Sequence, residues 1–178
     1  MAYVGEWGTF IHIPKTGGMA MRKALERAYG PGEEVGYGHG IPTSRPNAWA
    51  LVRKPAPYLR SLWAWGLRYK WQPYGREIWR EVLDNELAWA SWLTWEVFVE
   101  TVCTRRPGLV GRVFEYYYRP DIRYFQLENL GELYDYLGRE LVMTYENVNS
   151  LTDKARMTPA QAALIEKTEG AYLEKYYK

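Results

Sequence analysis

A chain of 178 residues is long enough to bury one substantial core and too short for two ordinary ones, so a single domain over residues 1–178 is expected. Its 23 Lys and Arg against 21 Asp and Glu leave a formal charge of +2; this excludes the broad basic surface of a nucleic-acid binder, and no Lys/Arg run marks a membrane-surface protein. Cys103 is the one cysteine, which excludes an intrachain disulfide and a thiolate metal cluster and fits a reducing compartment. With no charged segment leading into an apolar run, and no stretch near the roughly 18 apolar residues of a membrane span, the expected location is cytoplasmic.

In chain order, Phe10, Ile11 and Ile13 have strand propensity, Pro14 ends the ladder by removing a donor, and Gly17 and Gly18 permit close backbone approach before a helix. Met21, Ala24, Leu25 and Ala28 then form the stripe of a helix packing on a sheet, stopped at residues 30–32 by Gly, Pro and Gly. Residues 33–47 read as a Gly- and Pro-rich loop carrying His39. Residues 48–53 read as a second short apolar strand ending in Arg53. A mostly buried helix follows from about residue 57 to residue 69, and helical spacings continue through Trp79, Leu83, Leu87, Trp92, Trp95, Val99 and Val102.

Residues 105–108 form a turn, 109–118 a helix, and 121–127 a strand with Ile122 and Tyr124 alternating. A further helix runs through Leu130, Leu133, Tyr134 and Leu137 to Gly138, and residues 139–157 read as mostly irregular. Thr158 as N-cap, Pro159 and Gln161 open one last helix through Ile165, Ala171 and Leu173. This alternation predicts an α/β architecture with a small central parallel sheet flanked by helices. Nine Trp and sixteen Tyr, many of them between residues 58 and 124, suit a helix core or a ring-binding surface, and the core is favoured.

The opening strand, glycine turn and helix bring unpaired amides together beside Lys15 and Thr16, which makes an anion cradle. A triphosphate P-loop needs its lysine after the last glycine, whereas Lys15 and Thr16 precede Gly17 and Gly18, and no later apolar strand ends in a metal-binding Asp. An ATP- and Mg²⁺-dependent phosphotransferase is therefore the weaker alternative. Arg53 has the fork geometry for a phosphate, and the Ser61 hydroxyl adds a neutral donor. The bland alternatives are a strand-end salt bridge and a helix hydroxyl bonded to its own backbone.

The run from Phe10 through His12, Pro14, Lys15, Thr16 and Gly17 to Gly18 resembles the 5′-phosphosulfate loop of sulfotransferases that use 3′-phosphoadenosine 5′-phosphosulfate (PAPS), in particular the carbohydrate-type branch with its His-x-Pro-Lys-Thr-Gly-Gly signature. Arg53 and Ser61, eight residues apart, match the two positions of that family's 3′-phosphate motif. The later segments around residues 107–115, Glu128 to Leu130 and the Thr-Pro helix resemble compact bacterial and phage members. The resemblance implies a P-loop-like sulfotransferase fold and PAPS as cofactor, giving 3′,5′-adenosine bisphosphate, with no metal. The implied partner is an acceptor bearing a hydroxyl, carbohydrate-like or a small molecule, and no nucleic acid or membrane is implied. It places the donor on Pro14, Lys15, Thr16, Gly17, Gly18, Met19, Ala20, Arg53 and Ser61. Two positions depart from the pattern: Met19 and Ala20 stand where Thr-Ser is frequent, and Tyr58 where a second arginine is common.

Sulfuryl transfer, like loose phosphoryl transfer, asks chiefly for positioning and for stabilisation of charge on the leaving oxygen, which Lys15 and the amides of residues 16–19 can supply. The acceptor hydroxyl needs a base. Of the two histidines, His39 lies in the loop between the two motifs, where the resemblance also implies a catalytic His or Glu, and is the candidate; His12, inside the strand, reads as a packing residue. Glu33, Glu34 and Glu128 are alternative bases. The expected function is a sulfotransferase, with a non-catalytic nucleotide-binding module as the alternative of a different class.

Overall fold

Residues 2–5 form a strand that the sequence pattern does not mark, folded back on the expected strand at Phe10 and Ile11. The computed structural model describes residues 2–36, 47–69, 94–144 and 155–177. In it β1 (Ala2–Gly5) and β2 (Gly8–Ile11) pair antiparallel, with Tyr3 opposite Phe10, across a turn at Glu6 and Trp7. Gly8 leaves that turn at φ 82°, and a Cβ there would lie 2.7 Å from the carbonyl oxygen of Asn47, so glycine is required for both reasons. Helix α1 (Gly18–Tyr29) follows, then β3 (Glu33–Val35), β4 (Ala48–Val52), α2 (Pro55–Tyr69), α3 (Trp95–Arg105), α4 (Leu109–Tyr117), β5 (Arg123–Gln126), α5 (Gly131–Leu137), α6 (Pro159–Thr168) and α7 (Gly170–Tyr176).

The strand order is β3-β1-β2-β4-β5, with β2, β4 and β5 parallel and β1 and β3 antiparallel to their neighbours. The expected parallel sheet is thus corrected to a mixed five-stranded one flanked by helices. The reason is tertiary. Glu33–Val35, expected as loop, is a strand because β1 offers it an edge, and Arg22 of α1 pins it there: its guanidinium donates to Glu26 at 2.6 Å, to the Tyr3 hydroxyl at 3.1 Å and to Glu34 at 3.3 Å. The same guanidinium stacks over the Tyr3 ring at 4.3 Å. An exposed Glu-Glu-Val stretch has no strand signal of its own.

The described residues fall into two compact units. The first comprises those within residues 1–53 and 117–147 and holds the sheet. Its core sets Tyr3, Phe10, Trp49, Leu51 and Phe125 from one sheet face against Met21, Ala24 and Leu25 of α1 and Leu133 of α5, which is the predicted helix stripe. Phe10 and Trp49, opposite each other in parallel register, pack with tilted rings 4.6 Å apart, and the buried Trp49 indole donates to the Trp7 carbonyl at 3.0 Å. All five β4 residues are buried, as a continuous apolar run in a parallel strand requires.

The second unit comprises the described residues within 54–116 and 148–178 and is helical. Helices α2, α3 and α6 pack pairwise, with Trp63 and Trp95 edge to face at 5.9 Å and Tyr58 against Phe114 at 5.7 Å. The predicted capping box is present: Thr158 Oγ1 accepts from the Gln161 amide at 3.2 Å, and Gln161 Oε1 from the Thr158 amide at 2.9 Å. The expected single last helix is instead two, broken at Glu169. That carboxylate turns away from its own helix to accept from the amides of Val110 and Gly111, both at 3.0 Å, capping α4. Residues 37–46, 70–93 and 145–154 lie outside the described residues, and with them the expected loop around His39, the helical spacings from Trp79 to Trp92 and part of the irregular segment. Among the described residues no helix is long and apolar enough to cross a membrane.

Candidate functional site

Strand β2 runs out at Ile11, and the chain makes a tight turn through Pro14 to Gly17 before α1 begins at Gly18. Two left-handed residues build the turn, Lys15 at φ 67° and Gly17 at φ 79°. For lysine that conformation costs about 1–2 kcal/mol, so the surrounding structure must impose it. Two contacts do so. The buried Thr16 hydroxyl donates to the Ile13 carbonyl at 2.8 Å, and Arg53, directly after β4, donates from its guanidinium to the Lys15 carbonyl at 2.9 Å. Because β2 and β4 are parallel neighbours, their carboxyl ends deliver Lys15 and Arg53 to one place, the end of an α/β sheet where ligands collect.

The first turn of α1 completes the arrangement. Gly17 has no side chain to cap it, no acidic residue stands in the turn, and the first helical bond runs from the Met21 amide to the Gly17 carbonyl. The amides of Gly18, Met19 and Ala20 therefore have no partner within the helix, at its positive end. Glycine is favoured at position 17 by its left-handed backbone and at position 18 by lack of space. A Cβ on Gly17 would sit 3.2 Å from the Leu127 side chain, and one on Gly18 would collide with the His12 imidazole.

Part of Lys15 reaches solvent, yet burial of its ammonium, with the charge of Arg53 second, pushes its pKa down to about 7. The charge of Arg53 thus bears on the Lys15 ammonium two residues ahead of a helix start that offers a row of amides. An oxyanion group fits this donor set.

Of the predicted site residues, Pro14, Lys15, Thr16, Gly17, Gly18, Met19, Ala20 and Arg53 belong to the first unit, and the loop and Arg53 are in direct contact. Thr16 can offer a ligand its amide, since its hydroxyl proton is committed to Ile13. Met19 is 44% exposed at the helix start. Ser61 lies in α2 of the second unit and is partly exposed. His39 lies outside the described residues. Among the alternative bases, Glu34 is engaged by Arg22, while Glu33 and Glu128 are exposed. Tyr58 is fully buried. Sequence reasoning missed the Leu127 and His12 contacts; the glycine pair signalled close approach, but nothing in it says to what.

Elsewhere, a cavity of about 240 Å³ in the second unit is lined by Arg112, Glu115, Glu169, Tyr172 and Lys175 among others and includes none of the predicted site residues. Among the described residues no three His, Cys, Asp or Glu side chains gather as a metal site would. The fold and site together define an α/β protein with a strand-loop-helix, a candidate anion site, at the carboxyl ends of two parallel strands. Comparison with protein-family models, curated proteins and solved structures returned no match.

Proposed function

We propose that the chain is a sulfotransferase that moves a sulfuryl group from PAPS to a hydroxyl of a carbohydrate-like or small-molecule acceptor. The observation that carries this reading is the hydrogen bond from Arg53 to the Lys15 carbonyl, which joins the loop motif to the first residue of the Arg/Ser motif. In this reading Lys15 and the amides of residues 16–20 hold the 5′-phosphosulfate oxygens and take up the charge left on the bridging oxygen. Arg53, whose planar fork matches a phosphate, serves the 3′-phosphate in this reading, and Ser61 is the second residue of that sequence motif. When bound, PAPS supplies the activated sulfuryl group. His39 removes the acceptor proton. Calorimetry with 3′,5′-adenosine bisphosphate is the first test, and absence of binding would sink the proposal. Transfer of labelled sulfate across a panel of glycans and small hydroxyl compounds, lost in Lys15→Ala, is the second.

Two features favour the other class, a module that binds the nucleotide without transferring: the exposed Met19 at the first turn and the buried Tyr58. Such a protein binds the bisphosphate and labels no acceptor. An ATP-dependent phosphotransferase is disfavoured by the position of Lys15 ahead of both glycines, and preference for ATP over the bisphosphate would restore it.

A further inference from the structure

The His12 imidazole lies directly against Gly18, the first residue of α1, so closely that a methyl group at Gly18 would collide with its Cδ2 and Nε2 atoms. The ring is embedded: Phe10 stacks 6.3 Å away at 20°, Tyr3 lies 6.4 Å away, and 8% of the residue is exposed. Tyr3 is in turn tied to α1, because Arg22 donates to its hydroxyl. The same ring therefore touches the sheet's aromatic row and the backbone from which the first-turn amides project.

We propose that His12 is a positioning residue of the anion site: its ring sets how far the first turn of α1 advances towards Lys15 and Arg53, and so where the amides of Gly18, Met19 and Ala20 aim. The inference rests on the anion-site reading above and deepens it. A ring that only filled the core would influence stability alone. One that seats the helix start also influences affinity, since preorganised donors lose their effect with displacements near 1 Å. The Gly18 requirement is then complementary: position 18 must be small because position 12 is large.

The test is a double-mutant cycle on affinity for 3′,5′-adenosine bisphosphate, with His12→Ala, Gly18→Ala and the double variant measured by calorimetry beside their melting temperatures. Gly18→Ala is expected to weaken binding at least about tenfold and His12→Ala about three- to tenfold. The double variant is expected to bind no worse than His12→Ala, because the added methyl enters vacated space. Multiplying losses in the double variant, or unchanged affinity in His12→Ala, overturns the inference. If Gly18→Ala does not fold, Leu25→Ala serves as a core control in α1: His12→Ala must lose affinity while Leu25→Ala stays within about twofold, and equal losses in both overturn the inference. Absence of binding to the wild type defeats the anion-site reading and this inference with it, whereas wild-type binding without rescue defeats only the role of His12.

Discussion

The guanidinium of Arg53 donates to the carbonyl oxygen of Lys15 at 2.9 Å, so the residue that closes β4 holds the loop that follows β2. This contact couples loop geometry to a charged side chain, and both should respond when it is cut. Arg53→Ala is expected to weaken bisphosphate binding roughly 10- to 150-fold, the equivalent of one charge-assisted hydrogen bond of about 1.5–3 kcal/mol. Arg53→Lys should not restore it, since a point ammonium cannot serve a carbonyl and a phosphate through a planar fork. Calorimetry on the two variants checks this, and full affinity in Arg53→Lys would contradict it.

Lys15 makes the apo protein pH-sensitive near neutrality. Its folded pKa, near 7, lies below the ordinary 10.5, so between those values the unfolded chain holds the proton that the folded chain has released. Stability from this group therefore rises as pH climbs from about 7 towards 10.5 and is flat below 7. Lys15→Met should remove that rise, measured as urea midpoints across the range. An anion on the loop restores the charge, so sulfate or the bisphosphate should bind with proton uptake at pH 8, detected by calorimetry in buffers of different ionisation enthalpy; equal apparent heats in all buffers would contradict it.

Glu169 joins the break between α6 and α7 to the start of α4. Glu169→Ala strands two amides, at Val110 and Gly111, one of them buried, and is expected to cost about 2–4 kcal/mol. Burial raises the carboxyl pKa, with the two backbone hydrogen bonds opposing. A raised folded value means that the folded state binds protons more readily, so this group's contribution is greatest below its unfolded pKa and declines as pH rises through the folded one. Denaturant titrations of wild type and Glu169→Gln from pH 4 to 8 should differ in slope over that window.

At position 58 the sulfotransferase motif that the chain resembles favours arginine, yet Tyr58 is fully buried with its ring 5.7 Å from Phe114. Tyr58→Arg is expected to lower the melting temperature sharply, by several kcal/mol of stability, and not to tighten the bisphosphate, because an arginine there buries its charge in an aromatic core. A stable variant with higher affinity would show that the position faces ligand.

Much of the site was legible in the chain because its signals are local. Although the strand expected to run up to Pro14 already ends at Ile11, Gly17 and Gly18 open a helix, Lys15 precedes them and Arg53 ends the next apolar run, each read from residues within a few positions. The capping box at Thr158 is of the same kind. Strand β3, the antiparallel hairpin of β1 and β2 and the break at Glu169 were not legible. Glu33–Val35 becomes a strand because β1 offers an edge and Arg22 an anchor, and Glu169 leaves its helix because two amides of α4 lie within reach.

The sequence by itself determined which residues carry the candidate anion chemistry, because donor type, charge and glycine freedom are properties of single residues and short spacings. Only the tertiary structure decided what presses on them. Parallel pairing of β2 with β4 brings the Arg53 guanidinium onto the Lys15 carbonyl, burial then depresses the lysine's affinity for its proton, the His12 ring leaves no room for a side chain at Gly18, and the Leu127 side chain lies close beside Gly17. Those are contacts between residues distant in the chain or turned towards one another by the fold, and no local pattern encodes them.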